Sequence, residues 1–393
     1  MKKSPEAVTA TTPWSREKLI IPAFIAIVLL YWMGLYLYSP TLPLYAQDKS
    51  SNLVLVGVVL SMYGLWQLIA RLPVGIGVDW AGWRKPFIVV GLILVALSAL
   101  VMAYAQDITM LGIGRALSGL AAATWVPIVV MFSSMYRPGQ VIRAMAVLSL
   151  VNSFGRISAT ALSGFLTGIG GYTLAFHLSA LAAVIAIVLV LLIPDERQPT
   201  RRHSMDTLGR LFLNPLVLFP SLLSCLLHYG DWSTWASFTP ILARQFGANE
   251  VTVSFLVTAE MIFVLAGNLI STTIINRIGY RRMIYASFIF LALGIFGAAL
   301  ASSIVFIFVS QMAVGLAFGI AYPVLLGLSI NRVEPELQNS AMGLHQSVYA
   351  LGMFAGPWLS GILANGLGIQ PMFGITAVAI LAAGLFGGKR LKN

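Results

Sequence analysis

The sequence predicts an all-α integral membrane protein of twelve transmembrane helices in two pseudo-symmetric six-helix bundles. Three observations carry that expectation. The 393 residues are 59% hydrophobic and only 9% charged, with a mean hydropathy of +0.89, whereas soluble chains carry roughly 25% charged residues. The apolar residues gather into runs near the ~20 residues that cross a bilayer. A short polar loop, Gly75-Ile-Gly-Val-Asp79-Trp-Ala-Gly82-Trp-Arg84-Lys85, returns as Asn276-Arg277-Ile-Gly279-Tyr-Arg281-Arg282, with Gly82 and both cation pairs matched at an offset of 197 residues. One loop chemistry repeated half a chain apart points to parallel repeats, a known design of membrane carriers.

Residues 1–18 are polar and carry Lys2, Lys3, Arg16 and Lys18. The run from Leu19 to Tyr38 exceeds a signal-peptide core, and no small-residue cleavage site follows it. It reads as the first span. The runs are 19–39, 53–74, 87–105, 110–135, 141–168, 172–193, 215–243, 250–275, 283–301, 303–330, 337–365 and 370–388. The polar stretch 194–214 divides six from six. The expected organisation is a first half at 1–193 (1–18 its tail), a linker at 194–214 and a second half at 215–393.

Loop cations set the orientation. One side, with both termini and the linker, holds 19 of the 24 Lys and Arg residues; the other holds Lys49 and Arg244, and Arg71, Arg115 and Arg156 fall inside spans. The first side is expected to be cytoplasmic, in a cell (inner or plasma) membrane. The net charge of +11 is spread over these loops, so nucleic acid is excluded as a partner. The single cysteine, Cys225, allows no internal disulfide or thiol metal site.

The repeat extends past the loop. Arg115, Gly119 and Pro127 match Gln311, Gly315 and Pro323 at an offset of 196. Gly155 and Leu162-Ser163-Gly164 match Gly352 and Leu359-Ser360-Gly361 at 197, and Pro43 and Pro240 close the first and seventh spans at the same offset.

With these motifs the chain resembles the major facilitator superfamily over essentially its whole length. Gly75-x-x-x-Asp79-x-x-Gly82-x-Arg84-Lys85 matches that superfamily's loop signature between spans two and three. Leu111-x-x-x-Arg115-x-x-Ser118-Gly119 looks like the fourth-span signature of its drug–proton antiporters, with Ser where Gln is common. The Gly-Pro pair those antiporters carry in span five is absent here; Gly356-Pro357 stands in span eleven instead. The resemblance implies alternating access and a cytoplasmic latch built on Asp79. Its partner would be the start of span eleven, near 338–341. The gate residues are then Gly75, Asp79, Gly82, Arg84, Lys85, Asn276, Arg277, Gly279, Arg281 and Arg282. A plainer reading gives these charges only to topology and turn geometry. Gly82 suits a tight turn where φ is positive.

Charges at membrane depth cost at least about 2.5–3.5 kcal/mol each and need partners or water. Arg115, Arg156, Asp231 and Glu260 lie near mid-depth, two of each sign, which suggests pairing across the halves. In span five, Ser149, Asn152, Arg156, Thr160 and Ser163 share one helix face. That stripe reads as lining for a cavity, with small-residue helix packing as the rival. In span seven, His228, Asp231, Trp232 and Trp235 share a face that suits an amphipathic or cationic ligand. Tyr31 and Trp32 reach the cavity, while Tyr36 and Tyr38 are assigned to the interfacial belt. Gln311, the repeat-mate of Arg115, joins the binding set. Asp231 and Glu260 are the candidate proton carriers, since burial and a nearby arginine pull a carboxylate's proton affinity in opposite directions. Arg71 is left to the latch or to snorkelling, and His177 and His345 are unassigned.

No metal-spaced His/Cys/carboxylate cluster and no phosphate-binding loop is present, so neither an enzyme nor a cofactor is expected. The favoured function is proton-coupled export of small amphipathic organic compounds by a monomer. Its partners are the substrate, protons and the lipid bilayer. An organic-anion carrier using Arg115 and Arg156 as a clamp is the rival, with a non-transporting receptor as a third reading.

Overall fold

The computed structural model describes residues 14–136, 140–195, 211, 213–331, 333–334 and 337–390. Most of the expected N-terminal tail and linker therefore lie outside the described residues. Among the described residues every regular element is a helix. They are α1 (Trp14–Tyr36), α2 (Leu42–Lys49), α3 (Leu53–Ala81), α4 (Lys85–Ala103), α5 (Ile108–Ala123), α6 (Trp125–Ser134) and α7 (Val141–Leu192). After the linker come α8 (Pro215–Ser233), a π-helical turn (Thr234–Phe238), α9 (Thr239–Gln245), α10 (Glu250–Ile278), α11 (Tyr280–Ala299), α12 (Ile304–Ile330), α13 (Gln338–Leu367) and α14 (Ile369–Arg390).

Among the described residues, ten helical stretches are long and apolar enough to cross a membrane. The longest, α7, is two spans joined at Gly170 and Gly171, whose backbone leaves the helical region. The α8–α9 pair supplies the seventh span.

Two expected boundaries differ, and proline explains both. Pro43 and Pro240 do not close their spans. Each sits in the first turn of a short helix, α2 and α9. There its missing N–H has no intrahelical partner to lose. The fourth span is also not continuous. It breaks at Thr124, because Pro127 cannot donate to the Ala123 carbonyl one turn back.

The repeat is visible in the caps. Asn52 accepts from the Val54 and Leu55 amides at the start of α3. Asn249, 197 residues later, accepts from the Thr252 amide at the start of α10. Such caps satisfy donors that a helix start leaves open. Gly82 ends α3 at φ +69° and Gly279 precedes α11 at φ +81°, a region that costs a side chain energy and glycine none.

The halves meet along two seams, α3 against α13 and α7 against α10. A side chain on Gly361 would strike the Leu53 carbonyl, and one on Gly164 would strike the Glu250 carbonyl. Gly164 and Gly361, like Leu53 and Glu250, are 197 apart, so one contact is made twice. Two polar contacts between halves lie at the end away from the Gly82 and Gly279 loops. There Arg244 Nη1 meets Asp48 Oδ1 at 2.7 Å, and Asn365 Oδ1 accepts from the Leu53 amide at 3.2 Å.

Candidate functional site

The centre of the bundle is a run of aromatic rings that crosses from one half to the other. α1 supplies Tyr31, Trp32 and Tyr36, α3 supplies Tyr63, α6 supplies Trp125, and α8 with its π turn supplies Trp232 and Trp235. Tyr63 stacks on Trp232 (centroids 5.3 Å, 17°), and Tyr36 stacks on Trp235 (6.0 Å, 16°). Trp232 and Trp235 meet edge to face at 5.3 Å. Trp32 packs on Tyr36 and on Trp125, and Tyr31 stacks on Trp125. The π-helical turn brings Trp235 Nε1 to Asp231 Oδ2 at 2.8 Å; such turns recur at functional sites.

The arginines rest on these rings. Arg115 Cζ lies 4.5 Å from the Tyr63 centroid, and Arg156 Cζ lies 4.6 Å from Tyr36 and 5.8 Å from Trp32. Cations over ring faces are worth about 2 kcal/mol or more once desolvated. Arg156 also donates through Nη2 to Met261 Sδ at 3.1 Å. The expected direct pairing of arginine with carboxylate is therefore not what forms. The two acids stand beside each other instead, with Arg156 in electrostatic reach of both. Asp231 is 3% exposed and Glu260 1%. Asp231 Oδ1 and both Glu260 oxygens have no hydrogen-bond donor. Two adjacent carboxyls with three oxygens lacking donors can share one proton, which one of them donates to the other.

Only part of the polar stripe of span five faces the other half. Thr258 donates to Thr160 at 3.0 Å across the seam, Ser163 lies 3.5 Å from Thr41 Oγ1 within the first half, Ser149 is exposed, and Asn152 Oδ1 is buried without a partner. Its outer end is seam packing, while Asn152 and Arg156 belong to the centre. Gln311 is buried with both amide atoms unpartnered, one turn from Gly315, which packs on the Glu260 carbonyl.

Sequence reasoning missed Tyr63, Trp125 and Met261, and misplaced two tyrosines. Tyr36 and Tyr38 are buried, the latter against Phe176 at 4.9 Å, and neither is an interfacial belt residue. An aromatic inside an apolar run gives no depth signal on its own. Arg71 does not snorkel. It is buried and donates to the Tyr349 hydroxyl at 2.7 Å.

At the loop end, Arg84 donates to Ser134 Oγ at 3.0 Å. Lys85 binds the Leu191 and Ile193 carbonyls through Nζ, both at 2.8 Å, and Asp195 Oδ2 through its amide. These contacts stay within the first half and the start of the linker. Burial pulls the Arg84 guanidinium below its ordinary pKa, opposed by Asp195 and Asp79. Asp79 is exposed on the last turn of α3; Asn276 and Arg277 are exposed on the last turn of α10. Of the loop cations in the second half, Arg282 is exposed and Arg281 lies 5.9 Å from the Tyr285 ring. Gly75 lies within α3 with open space around it. Among the described residues no three of His, Cys, Asp and Glu converge in a way that could hold a metal ion.

Comparison with known proteins identifies the family and the fold. The profile of the Major Facilitator Superfamily matches residues 24–236 and 220–391. The chain is 22% identical over 360 residues to multidrug resistance protein 2 of Bacillus subtilis (strain 168), covering 89% of this chain and 90% of that one. It is 25% identical over 369 residues to the class B tetracycline resistance protein of Escherichia coli, covering 87% of each. The crystal structure of the nucleoside transporter NupG superposes with a TM-score of 0.78 at 16% identity, over 95% of this chain and 100% of that one. The chain belongs to the major facilitator superfamily and is a multi-pass membrane transporter, not an enzyme.

Proposed function

We propose that this transporter exports small amphipathic organic compounds in exchange for protons, by alternating access between the halves 1–193 and 215–393. The observation that carries the reading is the Asp231–Glu260 pair. It is buried at the seam between halves and lacks donors at three of its four oxygens. It lies within reach of Arg156. A single shared proton suits such a pair, and movement of Arg156 relative to it would change the affinity for that proton. The aromatic rings from both halves offer flat apolar faces to an organic guest. Relatives named for multidrug and tetracycline resistance support export.

The loop-cation side is taken as cytoplasmic and the Asp48–Arg244 side as external, which makes the described state externally closed. The latch on Asp79 would act at the cytoplasmic end, with Arg84 and Lys85 holding the ends of α6 and α7. The carrier is taken to work as a monomer in the cell membrane.

The test is flux in proteoliposomes under an imposed pH gradient, with the aromatic cation ethidium as probe. Asp231→Asn and Glu260→Gln are expected to abolish gradient-driven ethidium movement while sparing ethidium exchange without a gradient. Gradient-driven movement that survives both substitutions would remove the proton role. An organic-anion carrier is the second reading, because Arg115 Nε and Nη1 and Arg156 Nε are buried without acceptors. That reading expects Arg156→Ala to abolish anion binding while the acid substitutions are tolerated.

A further inference from the structure

A second polar cluster lies one to three helical turns toward the loop side of the carboxyl pair, and the exchange reading leaves it without a role. His228 sits one turn before Asp231 on α8. It stacks flat on Tyr349 of α13, with centroids 4.1 Å apart and planes at 2°. Tyr322 and Phe318 of α12 pack edge-on against the same imidazole. His345 of α13 lies 5.9 Å from Tyr349 and 6.4 Å from Tyr322. The one first-half group in the cluster is Arg71. It donates to the Tyr349 hydroxyl at 2.7 Å, with Cζ 5.5 Å from that ring's centroid.

Hydrogen bonding settles the tautomers. His228 Nδ1 lies 2.7 Å from the Ser224 carbonyl, which only accepts, so Nδ1 carries the hydrogen and Nε2 keeps the lone pair. Ser221 donates to the Val217 carbonyl at 2.6 Å, so it accepts from His345 Nδ1 at 3.0 Å. His345 Nε2 is then a buried lone pair without a partner. Each imidazole has one open nitrogen, and His228 is the one a single helical turn from Asp231.

A protonated His228 would be an imidazolium lying on the Tyr349 face, a favourable cation–π contact. Arg71 already places a guanidinium on that same ring. Two cations sharing one ring in a low-dielectric interior repel each other. The ring can therefore serve the arginine of one half or a charged histidine of the other, but not both at full strength. Around His228 the other charged or titratable groups are His345 and Tyr349 on α13, Tyr322 on α12 and Arg156 on α7, with Asp231 one turn further along its own helix. Arg71 differs from the groups on α8, α12 and α13 because α3 belongs to the other half and makes its contact through a single hydroxyl.

We propose that His228 is the proton way-station between the Asp231–Glu260 pair and the loop-side water, and that Arg71, through Tyr349, blocks its protonation until the halves part on that side. The inference rests on the proton-exchange reading and adds the route and its interlock. A proton leaves a carboxyl oxygen of the pair and adds to His228 Nε2, giving a carboxylate and an imidazolium. It then passes from Nε2 to water on the loop side and restores the neutral ring. When α3 draws back from α13, Arg71 leaves Tyr349 and the imidazolium gains the ring face. While the seam is shut the route is shut, so protons do not cross without a conformational cycle.

The chain has four histidines, so 15N-imidazole spectra of the whole protein in nanodiscs can be assigned with His228→Gln, which keeps a donor for the Ser224 carbonyl. In Arg71→Gln the imidazolium signal of His228 is expected to appear at a pH about one unit higher than in the unsubstituted chain, roughly tenfold tighter proton binding. Tyr349→Phe keeps the ring and removes the hydroxyl that holds Arg71, and should shift the signal the same way by less. Liposomes carrying Arg71→Gln should leak protons without ethidium, and His228→Gln should lose gradient-driven ethidium flux at least tenfold while keeping ethidium exchange. An unchanged His228 midpoint in both Arg71→Gln and Tyr349→Phe overturns the interlock. Normal coupled flux in His228→Gln overturns the way-station. If those results hold but Asp231→Asn and Glu260→Gln leave gradient-driven flux intact, the carboxyl pair is not the proton carrier, and the fault lies with the exchange reading instead.

Discussion

At membrane depth the first half carries Arg71, Arg115 and Arg156, and the second carries His228, Asp231, Glu260 and His345. The frames beneath these groups nevertheless match. A side chain on Gly119 would strike the Tyr63 carbonyl, and one on Gly315 would strike the Glu260 carbonyl. Gly119 and Gly315 are 196 apart, and Tyr63 and Glu260 are 197 apart. One glycine-to-carbonyl contact therefore positions a stacking ring in one half and an acid in the other. Tyr31 and His228 likewise stand at matched positions, 197 apart, and carry a ring in one half and an imidazole in the other. Backbone approach that excludes even a Cβ is the part of the design that repeats. The side chains carried on that frame differ, and the difference puts cations on one wall and acids on the facing wall.

The largest expected effect tests the matched frame itself. Gly119→Ala and Gly315→Ala should each destabilise by about 1–3 kcal/mol, the usual range for overpacking. Thermal unfolding in detergent should show comparable falls for both. If one half accepts alanine without a change and the other does not, the two contacts are not equivalents and the comparison breaks.

The matched frame was partly legible in the sequence. The loop repeat, the apolar runs and Gly82 came from composition and spacing, because burial of apolar length and the positive-φ turn leave direct marks on residue type. Asn52 and Asn249 were an equally clear signal, an Asx cap at the repeat offset, and could have been found the same way. Depth and partner choice left weaker marks. Tyr36 inside an apolar run reads equally as a belt residue or a core residue, because helical period places a side chain on a face and says nothing of its depth. The count of two cations and two acids fixed neutrality but not contacts. Arg156 is long enough to lie on Tyr36 and Trp32, and that choice depends on rings from α1. Pro43 and Pro240 marked breaks correctly, but proline permits both the residue after a helix and the first turn of the next.

A middle-sized effect sharpens the contrast between ring and acid inside the second half. Trp235 and Trp232 both stack across the seam, but only Trp235 donates to a carboxylate. Trp235→Phe keeps a ring and leaves Asp231 without that donor. A hydrogen bond to a charged group is worth roughly 1.5–3 kcal/mol, so coupled ethidium flux should fall at least tenfold. Trp232→Phe preserves a stacking face for Tyr63 and should cost less than about threefold, since an aromatic pair contributes roughly 0.5–1.5 kcal/mol beyond its buried area. Equal losses in flux assays of the two variants would mean that the rings act only as packing.

The smallest effect belongs at the far end, where the halves share their one described ion pair. Arg244 and Asp48 are 36% and 39% exposed, and Asp48 also accepts from the Tyr172 hydroxyl at 2.9 Å. The Asp48 hydrogen bond holds the Arg244 guanidinium above its ordinary pKa, so the cation persists at any working pH. Exposed pairs contribute only about 0.2–1 kcal/mol, and salt screens them over ~10 Å at 0.1 M. Asp48→Asn should therefore shift the balance between states closed and open at that end by less than about fivefold. Crosslinking of a cysteine pair placed across α2 and α9 should read that shift, at low salt more than at high. The buried centre should show no such salt dependence, because its cations and acids sit behind rings from both halves. A crosslinking change that is large and insensitive to salt would move control of closure at this end from the seam glycines, where the matched contacts place it, to this single pair.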